Sequence, residues 1–159
     1  MKGDWDQKVP EDVKNDFLLW LRELPLLGEI RIPRWLKEIE ESVVNCSLRI
    51  FCDASKTAFA AAVFVCTEYS TCVRVQLVQV IFRVSPLKQL TIPTLELLAA
   101  TIGARLTVSV KKEIEQGEPS LYFWNDSSTM IAWIQRGDTW SVFVWNRIQV
   151  IRSLTTKEA

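Results

Sequence analysis

Three acidic residues stand where a carboxylate is costly. Asp53 closes the apolar run "IFCDA", Glu96 sits among leucines and alanines in "TLELLAA", and Asp126 follows the aromatic run "YFWND". An isolated buried carboxylate is strongly disfavoured, so such groups are normally paired or bound to a metal. Three carboxylates brought together repel unless a cation neutralises them, and an oxygen-only cluster suits Mg²⁺ or Mn²⁺. Two such ions, roughly 4 Å apart, can clamp a phosphodiester, activating water on one side and stabilising the leaving oxygen on the other.

Each residue also has an ordinary reading. Asp53 before Ala54-Ser55 could be a turn residue bonding its own backbone. Glu96 near a helix start could be a charge favoured by the helix dipole. Asp126 before Ser127-Ser128 could be an N-cap. Only the joint placement of the three points to a metal.

Composition narrows the chemistry. The chain has 159 residues and no histidine, which removes Ser-His-Asp and Cys-His catalysis, His-ligated zinc and any histidine base. Lysines and arginines number 19 and acidic residues 19, a zero balance that argues against a strongly electrostatic nucleic-acid binder but leaves room for a local basic face. With 48% hydrophobic and 24% charged residues, the composition is that of a globular domain. No secretory leader is visible, and no apolar run approaches the roughly 20 residues that span a bilayer. Cys46, Cys52, Cys66 and Cys72 lack zinc-site spacing and read as small core residues in a reducing, intracellular compartment, cytoplasmic or nuclear.

The elements that must hold the three acids follow from periodicity. Residues 1–46 read as a connecting segment with one amphipathic helix, "PEDVKNDFLLWLRELP", stopped by Pro25, and an extended "IRIPRWL". From Ser47 the pattern becomes strands: "SLRIFCDA", "AFAAAVFVCT" and "CVRVQLVQVIFRV" form an antiparallel meander. A long helix follows the loop "SPLKQLTIP", beginning near Thr94 and closed by Gly117, with Glu96 in its first turn. "SLYFWND" is a fourth strand, and "SSTMIAWIQRG" and "TWSVFVWNRIQVIRSL" are helices. A crossover helix after a meander lays the fourth strand parallel to an earlier one, giving a mixed α/β sheet. If that neighbour is the first strand, Asp53 and Asp126 share one sheet edge and Glu96 can lie across them. Trp124 and Trp133 read as core aromatics rather than stacking platforms.

The segments "FCDAS", "PLKQLTIPTLELLAA", "YFWNDSSTMIAWI" and "FVWNRIQVI" together resemble the ribonuclease H-like region of BEL/Pao LTR retrotransposon polyproteins. The lead-in resembles the segment that joins this region to a preceding reverse transcriptase. The resemblance covers essentially the whole chain. It implies the ribonuclease H-like fold, with Asp53, Glu96 and Asp126 as catalytic metal ligands for Mg²⁺ or Mn²⁺. The implied substrate is the RNA strand of an RNA/DNA hybrid, and Arg83, Lys88, Arg105, Lys111 and Lys112 are candidates for a basic substrate face.

The chain departs from the family in two ways. The fourth carboxylate usual in such enzymes has no counterpart in "TTKEA", where Glu158 matches no motif, and "QVIFRV" is bulkier than the family's residues there. Residues 47–159 are therefore expected to be a domain lacking its C-terminal part, with weak or absent cleavage. A non-catalytic module supporting a reverse transcriptase is the alternative. An aspartic peptidase is a third reading, but neither Asp53-Ala54-Ser55 nor Asp126-Ser127-Ser128 has the glycine of an Asp-Ser/Thr-Gly loop.

Overall fold

Alternation along the first strand sets the architecture. In β1, Val43–Ala54, the side chains of Leu48, Ile50 and Cys52 are buried, while those of the alternate residues Phe51 and Asp53 are exposed. One face of the strand therefore carries the core. β2, Ala58–Tyr69, repeats the pattern with Phe59, Ala61, Val63 and Val65, and pairs antiparallel with β1 in the register Asp53–Ala60. β3, Val73–Val84, pairs antiparallel with β2. β4, Ser120–Trp124, lies parallel to β1, with Phe51 opposite Trp124. The sheet order is β3-β2-β1-β4, the mixed sheet expected from the crossover.

The computed structural model describes residues 8–31, 42–88, 90–114 and 118–155. They fall into two units, one up to Pro33 and one from Arg34 onward. The first unit holds α1, Glu11–Glu23, followed by a 3-10 segment, Leu24–Glu29. α1 ends at Glu23 as the proline requires, and the chain then continues in a 3-10 turn that takes in Pro25. It occupies the second position of the 3-10 turn, where its missing N–H has no partner to lose. The backbone becomes extended at Ile30, and "IRIPRWL" from Ile32 onward lies outside the described residues.

In the second unit the connection from β3 to β4 is α2, Ile92–Glu113, which packs on β1 and β2. Its buried residues include several small ones, Ala99, Ala100, Gly103, Ala104 and Thr107, beside Leu95, Leu97, Leu106 and Val110. A Cβ on Gly103 would stand 2.6 Å from Cys52 Sγ and 3.2 Å from Ile50 Cγ2, so the helix approaches the sheet as closely as a glycine permits. The helix starts two residues before the expected Thr94, and Gly117 is outside the described residues. The hydroxyls of Thr101 and Thr107 donate to the carbonyls of Leu97 and Gly103, which satisfies them inside the core.

Two short helices complete the layer. α3, Ser128–Gln135, and α4, Val142–Leu154, start at Ser127 and Ser141, whose hydroxyls accept from Met130 and Val144 N–H. Both caps are the ordinary serine device for an open helix start. Ile148 and Ile151 of α4 close a second core cluster with Leu97, Ala100, Ala104 and Met130. Arg152 donates to the carbonyls of Ile134 and Arg136, tying α4 to the end of α3.

Several expectations are corrected. β1 begins at Val43 rather than Ser47, because Val43 and Asn45 already pair with Tyr69 and Glu68. All four cysteines are free, but only Cys52 and Cys66 are buried; Cys46 is half-buried and Cys72 is exposed beyond β2. Trp133 packs against the second core cluster and Trp140. Trp124 is instead 50% exposed, stacked on Phe51 on the sheet face away from α2. Among the described residues no helix is long and apolar enough to cross a membrane.

Candidate metal centre

Parallel pairing of β1 with β4 brings the carboxyl-terminal ends of two strands to one edge. Asp53 is the last residue but one of β1, and Asp126 stands two residues beyond β4. α2 passes over the same edge. Glu96 lies one turn inside it rather than in the first turn, because the helix begins at Ile92. One carboxylate oxygen from each of Asp53, Glu96 and Asp126 falls within 4.8 Å of the others. Asp53 and Asp126 are exposed, whereas Glu96 is only 4% exposed.

The ordinary readings fare differently. Asp53 Oδ1 accepts from the Ala54 N–H at 2.7 Å, so part of its turn role is real. Asp126 is not the N-cap; Ser127 is. Glu96 is too deep in the helix to be a first-turn dipole charge.

The family model described as Pao retrotransposon-like RNaseH-like domain matches residues 1–127, a span that includes all three acids. The chain belongs to this family. Comparison with curated proteins and with solved structures returned no match. The observed fold, a four-stranded mixed sheet with helices, is consistent with the RNaseH-like assignment.

Among the described residues no lysine or arginine forms an ion pair with any of the three acids. Burial pushes the Glu96 carboxyl above the usual carboxylate range; the Asn125 hydrogen bond pulls it back, and the charges of Asp126 and Asp53 push it up again. Burial, with the Glu96 charge added, pushes the neighbouring Cys52 thiol up to about 12, which leaves it a packing residue rather than a nucleophile. The donor set is oxygen only and unpaired, which fits a hard divalent cation. The family points to the same use of divalent metal.

Sequence reasoning missed Asn125. Its amide nitrogen donates to Glu96 Oε2 at 2.7 Å and to the Cys52 carbonyl at 2.9 Å, and its oxygen accepts from Ser127 N–H at 2.7 Å. The one available signal was its place beside Asp126.

The candidate substrate residues are spread out. Arg83, at the end of β3, and Lys88, in the loop to α2, are exposed at the sheet end that carries Asp53, since β1 and β3 run the same way. The Ser85 N–H donates to the Thr57 carbonyl, which fastens this loop to the β1–β2 turn. Arg105 is nine residues along α2 from Glu96, hence about 13.5 Å further on and on the opposite side of the helix. Lys111 and Lys112 lie at the far end of α2, where Lys111 pairs with Glu118.

Proposed function

We propose that the domain hydrolyses the RNA strand of RNA/DNA hybrids, using Asp53, Glu96 and Asp126 to hold two divalent ions, Mg²⁺ or Mn²⁺. The observation that carries the reading is the convergence of the three carboxylates within 4.8 Å at the end of two parallel strands. When bound, such ions supply an activated water and stabilise the leaving oxygen. Glu96 supplies a buried oxygen held in place by Asn125, while Asp53 and Asp126 offer theirs at the surface, where a phosphodiester can approach from solvent.

Arg83 and Lys88 would contact the hybrid's phosphates beside the acids, and the wide minor groove would present its 2′-hydroxyls. Arg105, on the far side of α2, would meet only a substrate that wraps the helix. Residues 1–46 would serve as the connection from a reverse transcriptase domain in an intracellular polyprotein, and residues 47–159 as the hydrolase domain.

The test is cleavage of a labelled RNA/DNA hybrid with Mg²⁺ or Mn²⁺ by the wild type and by Asp53→Asn. Metal-dependent cleavage that disappears in the variant supports the reading. A second reading, a non-catalytic module supporting a reverse transcriptase, is favoured by the cluster's holding three carboxylates, not four, among the described residues. Equal inactivity of the two proteins would select it.

A further inference from the structure

We infer that Asn125 is a positioning residue of the metal centre, which sets Glu96 and Asp126 in ligating geometry before any ion arrives. This rests on the reading of the three acids as metal ligands. The side chain of Asn125 uses both its donors and its acceptor oxygen inside the site. Both amide hydrogens go to acceptors, the Cys52 carbonyl on β1 and Glu96 Oε2 on α2, and the amide oxygen receives the Ser127 N–H at the start of α3.

The network permits one orientation only. A flipped amide would turn its oxygen toward two acceptors and its NH₂ toward a donor. The bond to Ser127 closes an Asx turn around Asp126, so the backbone of that ligand is fixed by the same side chain that grips Glu96. Asn125 therefore joins the three elements that bear the ligands. An amide does this without adding a fourth negative charge to the cluster. A glutamate left free would have several side-chain rotamers to lose on binding an ion, and the Asn125 bond removes that loss in advance. Outer-shell partners of metal ligands typically carry a tenfold to hundredfold share of affinity.

The experiment measures Mn²⁺ affinity of the full chain by electron paramagnetic resonance of the free ion, alongside the metal-free melting temperature. Asn125→Leu keeps the volume and removes both donors; its Mn²⁺ affinity should fall about tenfold to hundredfold. In a Glu96→Gln background the same substitution should cost clearly less, because only its hold on the Asp126 backbone remains to be lost. Asn125→Thr, which keeps one donor, should fall between wild type and Asn125→Leu, and it stands in alone if the leucine variant does not melt cooperatively.

Unchanged affinity in the Asn125 variants, or an equal loss in both backgrounds, overturns the inference while leaving the metal centre intact. Mn²⁺ binding that is absent, or indifferent to Asp53→Asn, overturns the metal reading itself and this inference with it.

Discussion

Glu96→Gln separates the cost of an unpaired buried charge from the benefit of the ion that would neutralise it. In the metal-free fold Glu96 binds its proton more tightly than in the unfolded chain, burial being the main cause. Its stabilising effect is therefore fully present below the unfolded value of 4.5 and is lost as pH rises through the higher folded value. Glutamine cannot ionise, and its side-chain oxygen can still accept the Asn125 bond. With ligand oxygens within 4.8 Å, each Glu96–Asp repulsion is about 1 kcal/mol at the dielectric of water and about 3 kcal/mol at an effective dielectric of 20. Both aspartates are exposed, so solvent screening selects the lower figure, about 2 kcal/mol for two pairs. For a chain of this size that raises the melting temperature by about 4–8 °C. Saturating Mg²⁺ or Mn²⁺ should then reverse the order, since a ligand at a hundredfold its wild-type Kd adds about 2.7 kcal/mol to the wild type and much less to a variant that binds it weakly. Scanning calorimetry at pH 8 with and without metal, repeated near pH 4, gives the full comparison. The glutamine variant should melt higher without metal at pH 8, the advantage should vanish near pH 4, and metal should stabilise the wild type far more than the variant. A metal-free wild type that melts as high as the variant at pH 8, or equal metal shifts in both, refutes the reasoning.

Other substitutions probe the scaffold. Gly103→Ala drives a Cβ against Cys52 Sγ and should cost about 1–3 kcal/mol in urea unfolding, with Cys52→Ala in the same chain restoring most of it. Ile148→Ala empties a fully buried site in the second core cluster and should cost about 2–5 kcal/mol by the same measurement. Trp124→Ala, at a half-exposed position stacked on Phe51, should cost only about 0.5–1.5 kcal/mol beyond its modest lost burial; a loss of core size, about 3–5 kcal/mol, would contradict its placement.

The sheet was legible because its signals are local. Alternation marks β1 and β2, and a 22-residue helix between β3 and β4 leaves few ways to place β4 except parallel to a meander strand. The three acids could be gathered by the same logic, since strand direction decides which end of the sheet each one reaches. What remained hidden depends on contacts distant in sequence. Trp124 has the composition of a core residue, but its side of the strand faces away from α2, and no periodicity in five residues of β4 says which side is covered. Val43 and Val44 look like the tail of a polar stretch until Tyr69 and Glu68 are there to pair with the start of β1. Pro25 reads as a stop and does end the α-helix, but nothing local shows that the chain continues past it as a 3-10 turn. Asn125 carries no pattern at all. Its role exists only once Glu96, 29 residues before it, and Cys52, 73 residues before it, have been folded against it.

The separation between Glu96 and the two aspartates is decided in the core rather than at the site. Glu96 and Gly103 are seven residues apart, two turns of α2, and therefore lie on one side of the helix. Gly103 rests against Cys52, the residue immediately before Asp53. A bulkier contact there would lift α2 from β1 and carry Glu96 away from Asp53, stretching the Asn125 bond that links them through the Cys52 carbonyl. The small residues along this face thus do more than fill space, because helix height over the sheet becomes carboxylate spacing at its edge. It follows that core substitutions near Gly103 should weaken divalent-ion binding as well as stability, whereas substitutions of similar cost around Ile148, on the α4 side, should lower stability alone.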